Sequence, residues 1–233
     1  MIPLFTFALT PSIFHSAPEI VGTSLFGVFL NALSGTYAYV KQHRVYFKAA
    51  IPFAIATLPG AILGSLVSDY FTGPTFSLSY GIFILIISAI MYWNSSNKKA
   101  IATNFDETLF IARKKLGIIL SMFVGFISSI FGIGGGIIHV PVMIYALAFP
   151  PHMATATSHF VLAVSSFMGV TSHIFLNHIV WIPALAVGFG AVIGAQIGAR
   201  LSKKTKPRSI ILLLCISLFL LGIRMIVESN LLF

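Results

Sequence analysis

The sequence predicts an all-α polytopic membrane protein, a helical bundle with two inverted repeats and broken half-helices at a glycine-rich stretch. Three observations carry this. Hydrophobic residues fill 58% of the 233 positions and charged residues only 8%, against about a quarter in soluble chains. Apolar runs of about 18 to 22 residues recur, the length that crosses a hydrocarbon core roughly 30 Å thick. Lys and Arg are confined to short clusters between those runs, the mark of cytoplasmic loops rather than of a nucleic-acid face, so the net charge of +9 sets topology. Hydrocarbon offers no partner for a free N–H or C=O, and the runs are too long and too apolar for barrel strands, so helices are the expected element.

Spanning or half-spanning segments are expected at 2–9, 23–40, 47–68, 76–93, 116–132, 137–149, 157–175, 179–200 and 209–227. The opening MIPLFTFALTP lacks the basic region and small-residue cleavage site of a secretory signal. Segment 23–40 runs into Lys41, Arg44 and Lys48, and 76–93 into Lys98 and Lys99. Arg113, Lys114 and Lys115 precede 116–132; Arg200, Lys203, Lys204, Lys206 and Arg208 precede 209–227. These four clusters are assigned to the cytoplasm, and the base-free connections 10–22, 69–75 and 176–178 to the opposite side. The chain reads as a single transmembrane domain, with one repeat over about 1–93, a cytoplasmic linker over 94–115 and a second repeat over 116–229.

A shift of 134 residues lays Thr23–Ser68 on Thr157–Ser202 without a gap. Thr23-Ser24 falls on Thr157-Ser158, Gly35 on Gly169 and Gly60-Ala61 on Gly194-Ala195. Ala56, Gly60, Gly64 and Ser68 place a small residue at every fourth position, as do Gly190, Gly194, Gly198 and Ser202, and such ridges let helix backbones approach closely in lipid. Segment 23–40 ends at a basic cluster whereas 157–175 ends at a base-free turn, so the repeats face opposite ways, a plan of secondary transporters. Ile2-Pro3 corresponds to Val140-Pro141, leaving the first repeat without the counterpart of Leu116–Val140. Either the start lies inside a longer reading frame or about 25 residues have been lost.

Gly132, Gly134, Gly135 and Gly136 put four glycines in five positions, poor helix material at up to about 1 kcal/mol each. A helix break is expected there. A half-helix starting near Gly136 would aim uncovered N–H groups and its positive dipole end into the bundle, where they could hold an anion; the alternative is a hinge that only permits tight packing. The hydroxyls of Thr23, Ser24, Thr157 and Ser158 could donate to an oxyanion, or bond back to their own helices as is common in membranes. Asn31 and Ser165 occupy matching places further along the two repeats and are weaker candidates of the same kind.

Intramembrane ionisable groups are functional candidates by default, and here they reduce to His139, His159 and His173, each either a neutral hydrogen-bonded packing residue or a proton-linked or anion-contacting one. Asp69, Arg200, Arg224 and Glu228 stand near segment ends, where they can snorkel to water. Cys215 is a lone cysteine, and five acids in the whole chain leave little for acid–base chemistry. No metalloprotease, redox, hydrolase or nucleotide-binding motif is present, so no enzyme activity, cofactor or metal is expected.

The string GIGGGIIHVPVMIYALAFPPHMATATS resembles the signature of the sulfite exporter TauE/SafE family of membrane permeases, in which GxGGG is followed by V-P, an apolar run, P-P and A-x-x-T-S. The first half's P-x-x-x-F-A-L and GTSLF and the paired G-A-x-x-G segments are similar to the family's duplicated pattern, so the resemblance covers nearly the whole chain. It implies export or uptake of sulfite, sulfonates or related organosulfur anions, driven by an ion gradient, with roles for Gly132, Gly134, Gly135, Gly136, Thr157, Ser158, Thr23 and Ser24. The first repeat lacks the glycine stretch, His139 stands where the family carries an aliphatic residue, and His159 where it carries Leu.

The expected function is therefore permeation of a small oxyanion held by N–H groups and hydroxyls, with Asn31, His139 and His159 nearby. The expected partners are the lipid bilayer of the cell membrane, a coupling ion (H+ or Na+) and a second copy of the chain, with no nucleic acid. The alternatives are a non-transporting membrane subunit or assembly factor with a degenerate first half-site, and a passive anion channel.

Overall fold

The computed structural model describes residues 17–68, 74–96, 104–131 and 135–231. Among these there are eight α-helices and no strand: α1 (Ala17–Lys41), α2 (Phe47–Ser68), α3 (Pro74–Ser96), α4 (Glu107–Phe131), α5 (Gly136–Pro141), α6 (Pro151–Phe175), α7 (Trp181–Lys204) and α8 (Pro207–Leu231). A π-helical segment, Val142–Ala146, continues α5. The expected segment 2–9 lies outside the described residues. Four stretches, Phe47–Gly64, Pro151–Phe175, Trp181–Lys204 and Pro207–Val227, are long and apolar enough to cross a membrane. Large apolar side chains such as Ile55, Phe123, Phe175, Ile182 and Phe189 are exposed on the outside of the bundle, the surface a bilayer covers. Trp93 and Trp181 are exposed at the end of α3 and the start of α7, positions suited to the two membrane interfaces.

α4 begins at Glu107, earlier than the expected 116, because Asp106 caps it. Its Oδ1 accepts the N–H of Thr108 at 2.9 Å and of Leu109 at 3.2 Å, satisfying two of the donors every helix start leaves open. The Arg113–Lys115 cluster consequently rides on helix. Glu107 then ties α4 to the α1–α2 turn, accepting from Lys48 Nζ at 2.7 Å and from the Tyr46 hydroxyl at 3.0 Å. These bonds, Lys48's first, hold its carboxyl below the usual carboxylate range.

The two halves make the same contacts with the roles exchanged. Gly35 of α1 lies against the His159 ring of α6, and at the equivalent pair Gly169 of α6 lies against Leu25 of α1. Since 35 meets 159 while 25 meets 169, α1 and α6 cross antiparallel. Ser88 Oγ of α3 donates to the Cys215 carbonyl of α8 at 2.9 Å, and the equivalent pair is Gly222 against Gly81. Both central helices end on a left-handed residue, His43 and Asn177, each with φ of 55°. Arg44 N–H bonds to the Tyr39 carbonyl at 3.1 Å, and His178 N–H to that of His173 at 2.9 Å. This is one C-terminal cap written twice. Each of these residues is separated from its equivalent by the 134-residue shift read from the sequence.

The small-residue ridges behave differently in the two halves. Gly60 of α2 abuts the Met122 carbonyl of α4, and Gly125 of α4 abuts the Thr57 carbonyl of α2, so a side chain at either would meet backbone. Gly64 is buried on the same helix. Gly190, Gly194 and Gly198 of α7, by contrast, have no neighbour among the described residues where a Cβ would stand. The expectation of a close helix contact is met at Gly60, and at Gly194 and Gly198 no described residue makes it. α7 turns Gly188 to Leu30 of α1, so its Gly190–Gly198 face points away from the described helices.

Candidate functional site

The expected helix break is present. α4 ends at Phe131 and α5 begins at Gly136, with Gly135 between them at φ of 32°, a conformation that glycine adopts freely. Gly132 and Gly134 lie outside the described residues. The Gly135 N–H donates to Ser128 Oγ and its carbonyl accepts the His139 N–H at 2.9 Å. From there the chain doubles back along α4: His139 stands beside Ser121, and Arg113 donates to the Ala146 carbonyl at 2.9 Å, satisfying the end of the π segment. α4 and α5 thus form a hairpin whose second arm is a half-helix. Its start, Gly136, lies against Leu162, close to the level at which α1 and α6 cross. Helical geometry leaves the N–H groups of Gly136, Ile137 and Ile138 without an acceptor in α5, so the positive end of the half-helix lies at the level of Leu162 in α6.

Both threonines are fully buried and both accept a backbone N–H from the opposite repeat. Thr157 Oγ1 accepts from Tyr46 at 3.2 Å and Thr23 Oγ1 from Val180 at 3.0 Å, at the starts of α2 and α7 respectively. Accepting leaves each hydroxyl its own proton to donate. Ser158 donates to Met143 Sδ of the π segment at 3.3 Å. Ser24 Oγ is buried without a partner among the described residues. The residue equivalent to Met143 falls before Ala17, outside the described part of the chain.

The two Thr-Ser pairs do not converge. Reading levels from Gly35 beside His159 and Leu25 beside Gly169, Thr23 and Thr157 are fourteen residues apart along the α1–α6 pair, about 21 Å. The pairs sit at opposite ends of the central crossing, each near one inter-helix turn. Asn31, half-buried on α1, is at the mid-level with Gly136. Its counterpart Ser165 bonds back to the Leu162 carbonyl at 3.1 Å.

The histidines are held by packing. His139 is buried, with Nε2 3.0 Å from Ser121 Oγ and its ring edge-on to Phe53. Ser121 donates its single proton to the Gly117 carbonyl at 2.7 Å, so Nε2 carries the hydrogen in the His139–Ser121 bond. Nδ1 is then an acceptor, without a partner among the described residues. His159 Nδ1 bonds to the Thr155 carbonyl at 3.1 Å and its ring lies edge-on to Tyr39. His173 pairs with His178 at the α6–α7 turn, ring centroids 5.6 Å apart.

Sequence reasoning missed Ser121 and Ser128, which hold the hairpin, and the Ser34–Gln196 link between α1 and α7. Gln196 Nε2 donates to the Ser34 carbonyl at 2.8 Å and its hydroxyl at 2.9 Å, and that hydroxyl bonds to the Val192 carbonyl at 3.0 Å. A lone amide in the apolar run of segment 179–200 was the available signal for this interhelical bond.

A multi-pass helical bundle whose repeats exchange contacts is a recurring plan of membrane transporters. The family model described as "Sulfite exporter TauE/SafE" matches residues 1–225, and the chain belongs to that family. It is 35% identical over 224 residues to the "Probable membrane transporter protein YunE" of Bacillus subtilis, with 91% of this chain and 82% of the relative covered. It is 29% identical over 216 residues to the "Probable membrane transporter protein MJ0441" of Methanocaldococcus jannaschii, covering 88% and 78%. A "Probable membrane transporter protein" of Xylella fastidiosa strain Temecula1 is 27% identical over 186 residues, covering 79% and 69%. No solved structure matches. The chain is thus a multi-pass membrane transporter and not an enzyme.

Proposed function

We propose that this transporter carries a small organosulfur oxyanion, sulfite or a sulfonate, across the cell membrane, coupled to an ion gradient of H+ or Na+. The observation that carries the reading is the start of α5: a left-handed Gly135 followed by a half-helix whose first residue, Gly136, lies against Leu162 of α6. Backbone donors at a helix start bind anions without a fixed cation, so the substrate is held and still released. Asn31 is at the same level, while Thr157-Ser158 and Thr23-Ser24 stand toward the two ends, where they line the approaches from either side. Both threonines are fully buried here, and exposure of one pair at a time provides alternating access.

Purified protein in sealed vesicles tests this through flux of sulfite, sulfate and a small sulfonate under imposed H+ or Na+ gradients. Saturable sulfite or sulfonate flux that follows one gradient is expected. Absence of flux for all three favours the non-transporting subunit, and non-saturating flux the channel.

A further inference from the structure

The buried group that packing leaves incomplete is His139. It is 1% exposed, enclosed by residues that include Ser121 of α4 at Nε2 and Phe53 of α2 against the ring. With the Ser121 proton committed to the Gly117 carbonyl, Nε2 holds the imidazole hydrogen, and Nδ1 is a lone pair without a partner among the described residues. A histidine in this state has one change of charge open to it, uptake of a proton at Nδ1. It stands one turn past the glycine break, its N–H bonded to the Gly135 carbonyl at 2.9 Å. The repeat does not duplicate it, since Met1 is at the corresponding position.

No described carboxylate pairs with this ring. On α2 the ionisable group is Lys48, bound to Glu107. On α4, Glu107 precedes Ser121 by fourteen residues, about 21 Å along the helix. Arg113 is bonded to the Ala146 carbonyl, while Lys114 and Lys115 are exposed. Tyr145 of the π segment donates to the Met91 carbonyl. On α6, His159 is bonded to the Thr155 carbonyl, and His152 and His173 stand near the two helix ends. A proton on His139 would therefore be a buried charge without a counter-charge from the protein.

We propose, resting on the reading of an anion carried beside α5, that His139 is the proton-coupling site of this transporter: Nδ1 takes a proton from water as the anion binds and returns it to water as the anion leaves. Charge decides when the proton is held. An anion alone or a proton alone puts an uncompensated charge in the bundle, which is costly. The empty site with neutral imidazole and the site loaded with a monovalent anion and imidazolium are both neutral overall, so these are the two states that can be enclosed while access changes sides. That is the condition for symport of one proton with one anion, and it selects H+ over Na+. A hard cation takes several oxygen ligands, whereas a single imidazole nitrogen takes a proton.

The test uses the purified chain in vesicles with an entrapped pH-sensitive dye and methanesulfonate as the probe, an anion that keeps one negative charge wherever imidazole titrates. A methanesulfonate gradient imposed on the wild type should move protons in the same direction, one per anion, and the apparent affinity should improve by up to about tenfold for each unit by which pH falls, the limit for one linked proton. His139→Gln keeps a donor for Ser121 but takes no proton. Its affinity should stay at the weak, high-pH value of the wild type at every pH, and no proton should accompany the anion. With sulfite, which exchanges protons with water itself, the coupled proton is read as the difference between wild type and variant. Saturable wild-type flux without protons, or driven by Na+ instead, overturns the proposal and leaves the transport reading intact; this measurement holds even where the variant does not insert. Proton movement that survives His139→Gln also overturns it. Absence of saturable flux for methanesulfonate, sulfite and sulfate alike removes the transport reading, and the proposal with it.

Discussion

Thr157 Oγ1 accepts the Tyr46 N–H at 3.2 Å, and the equivalent Thr23 accepts the Val180 N–H at 3.0 Å, so each repeat closes a helix start of the other. Removing either hydroxyl strands a buried N–H, at a cost of roughly 1–3 kcal/mol. Thr157→Val and Thr23→Val should each lower the thermal unfolding midpoint in detergent, whereas Thr157→Ser should be milder because it keeps the acceptor. Since the sites are about 21 Å apart with no shared partner, the double variant should show the summed loss. A pair that falls well short of additivity would mean that the two bonds form one network.

The ridges make a second, asymmetric prediction. Gly60→Leu must displace the Met122 backbone and should cost at least the roughly 1–3 kcal/mol of an overpacked core, visible as lost membrane-inserted protein. Gly194→Leu meets no described residue and should insert like the wild type. Comparable damage from both would show that the outer face of α7 is covered by protein.

Glu107 supplies a pH dependence. Its carboxyl is held below the usual range by Lys48 and then by Tyr46, so its contribution is complete above the unfolded carboxylate value and declines as pH falls through the lower folded value. The protection of amides at the start of α4, relative to their intrinsic exchange rate at each pH, should therefore fall on acidification below the ordinary carboxylate range. Glu107→Gln should weaken that dependence, and an unchanged profile in this variant would assign it elsewhere.

Much of the architecture was legible in the sequence because hydrocarbon enforces it: apolar runs had to be helices. The 134-residue shift held through the helix caps at His43 and Asn177 and extends to Ser88 and Gly222, beyond the span first aligned. Glycines also announced the break at Gly135. What the string could not convey was depth. Thr23-Ser24 and Thr157-Ser158 repeat like a two-fold site, but an antiparallel crossing places equivalent positions at opposite ends unless they lie at its centre, as Asn31 and Ser165 nearly do. Nor does a ridge of small residues say which way it faces: Gly60 meets a helix and Gly198 does not.

The half-helix at Gly135 is the centre of the account, and sulfite flux in vesicles, compared between wild type and Gly135→Val, tests it most directly. Valine is strained at a φ of 32° and its branched side chain would press on Ser128 and Val124 of α4, displacing the start of the half-helix proposed to hold the anion. The variant should insert, with helical content unchanged by circular dichroism, and lose saturable flux. Wild-type flux and affinity in a well-inserted Gly135→Val protein would contradict the account.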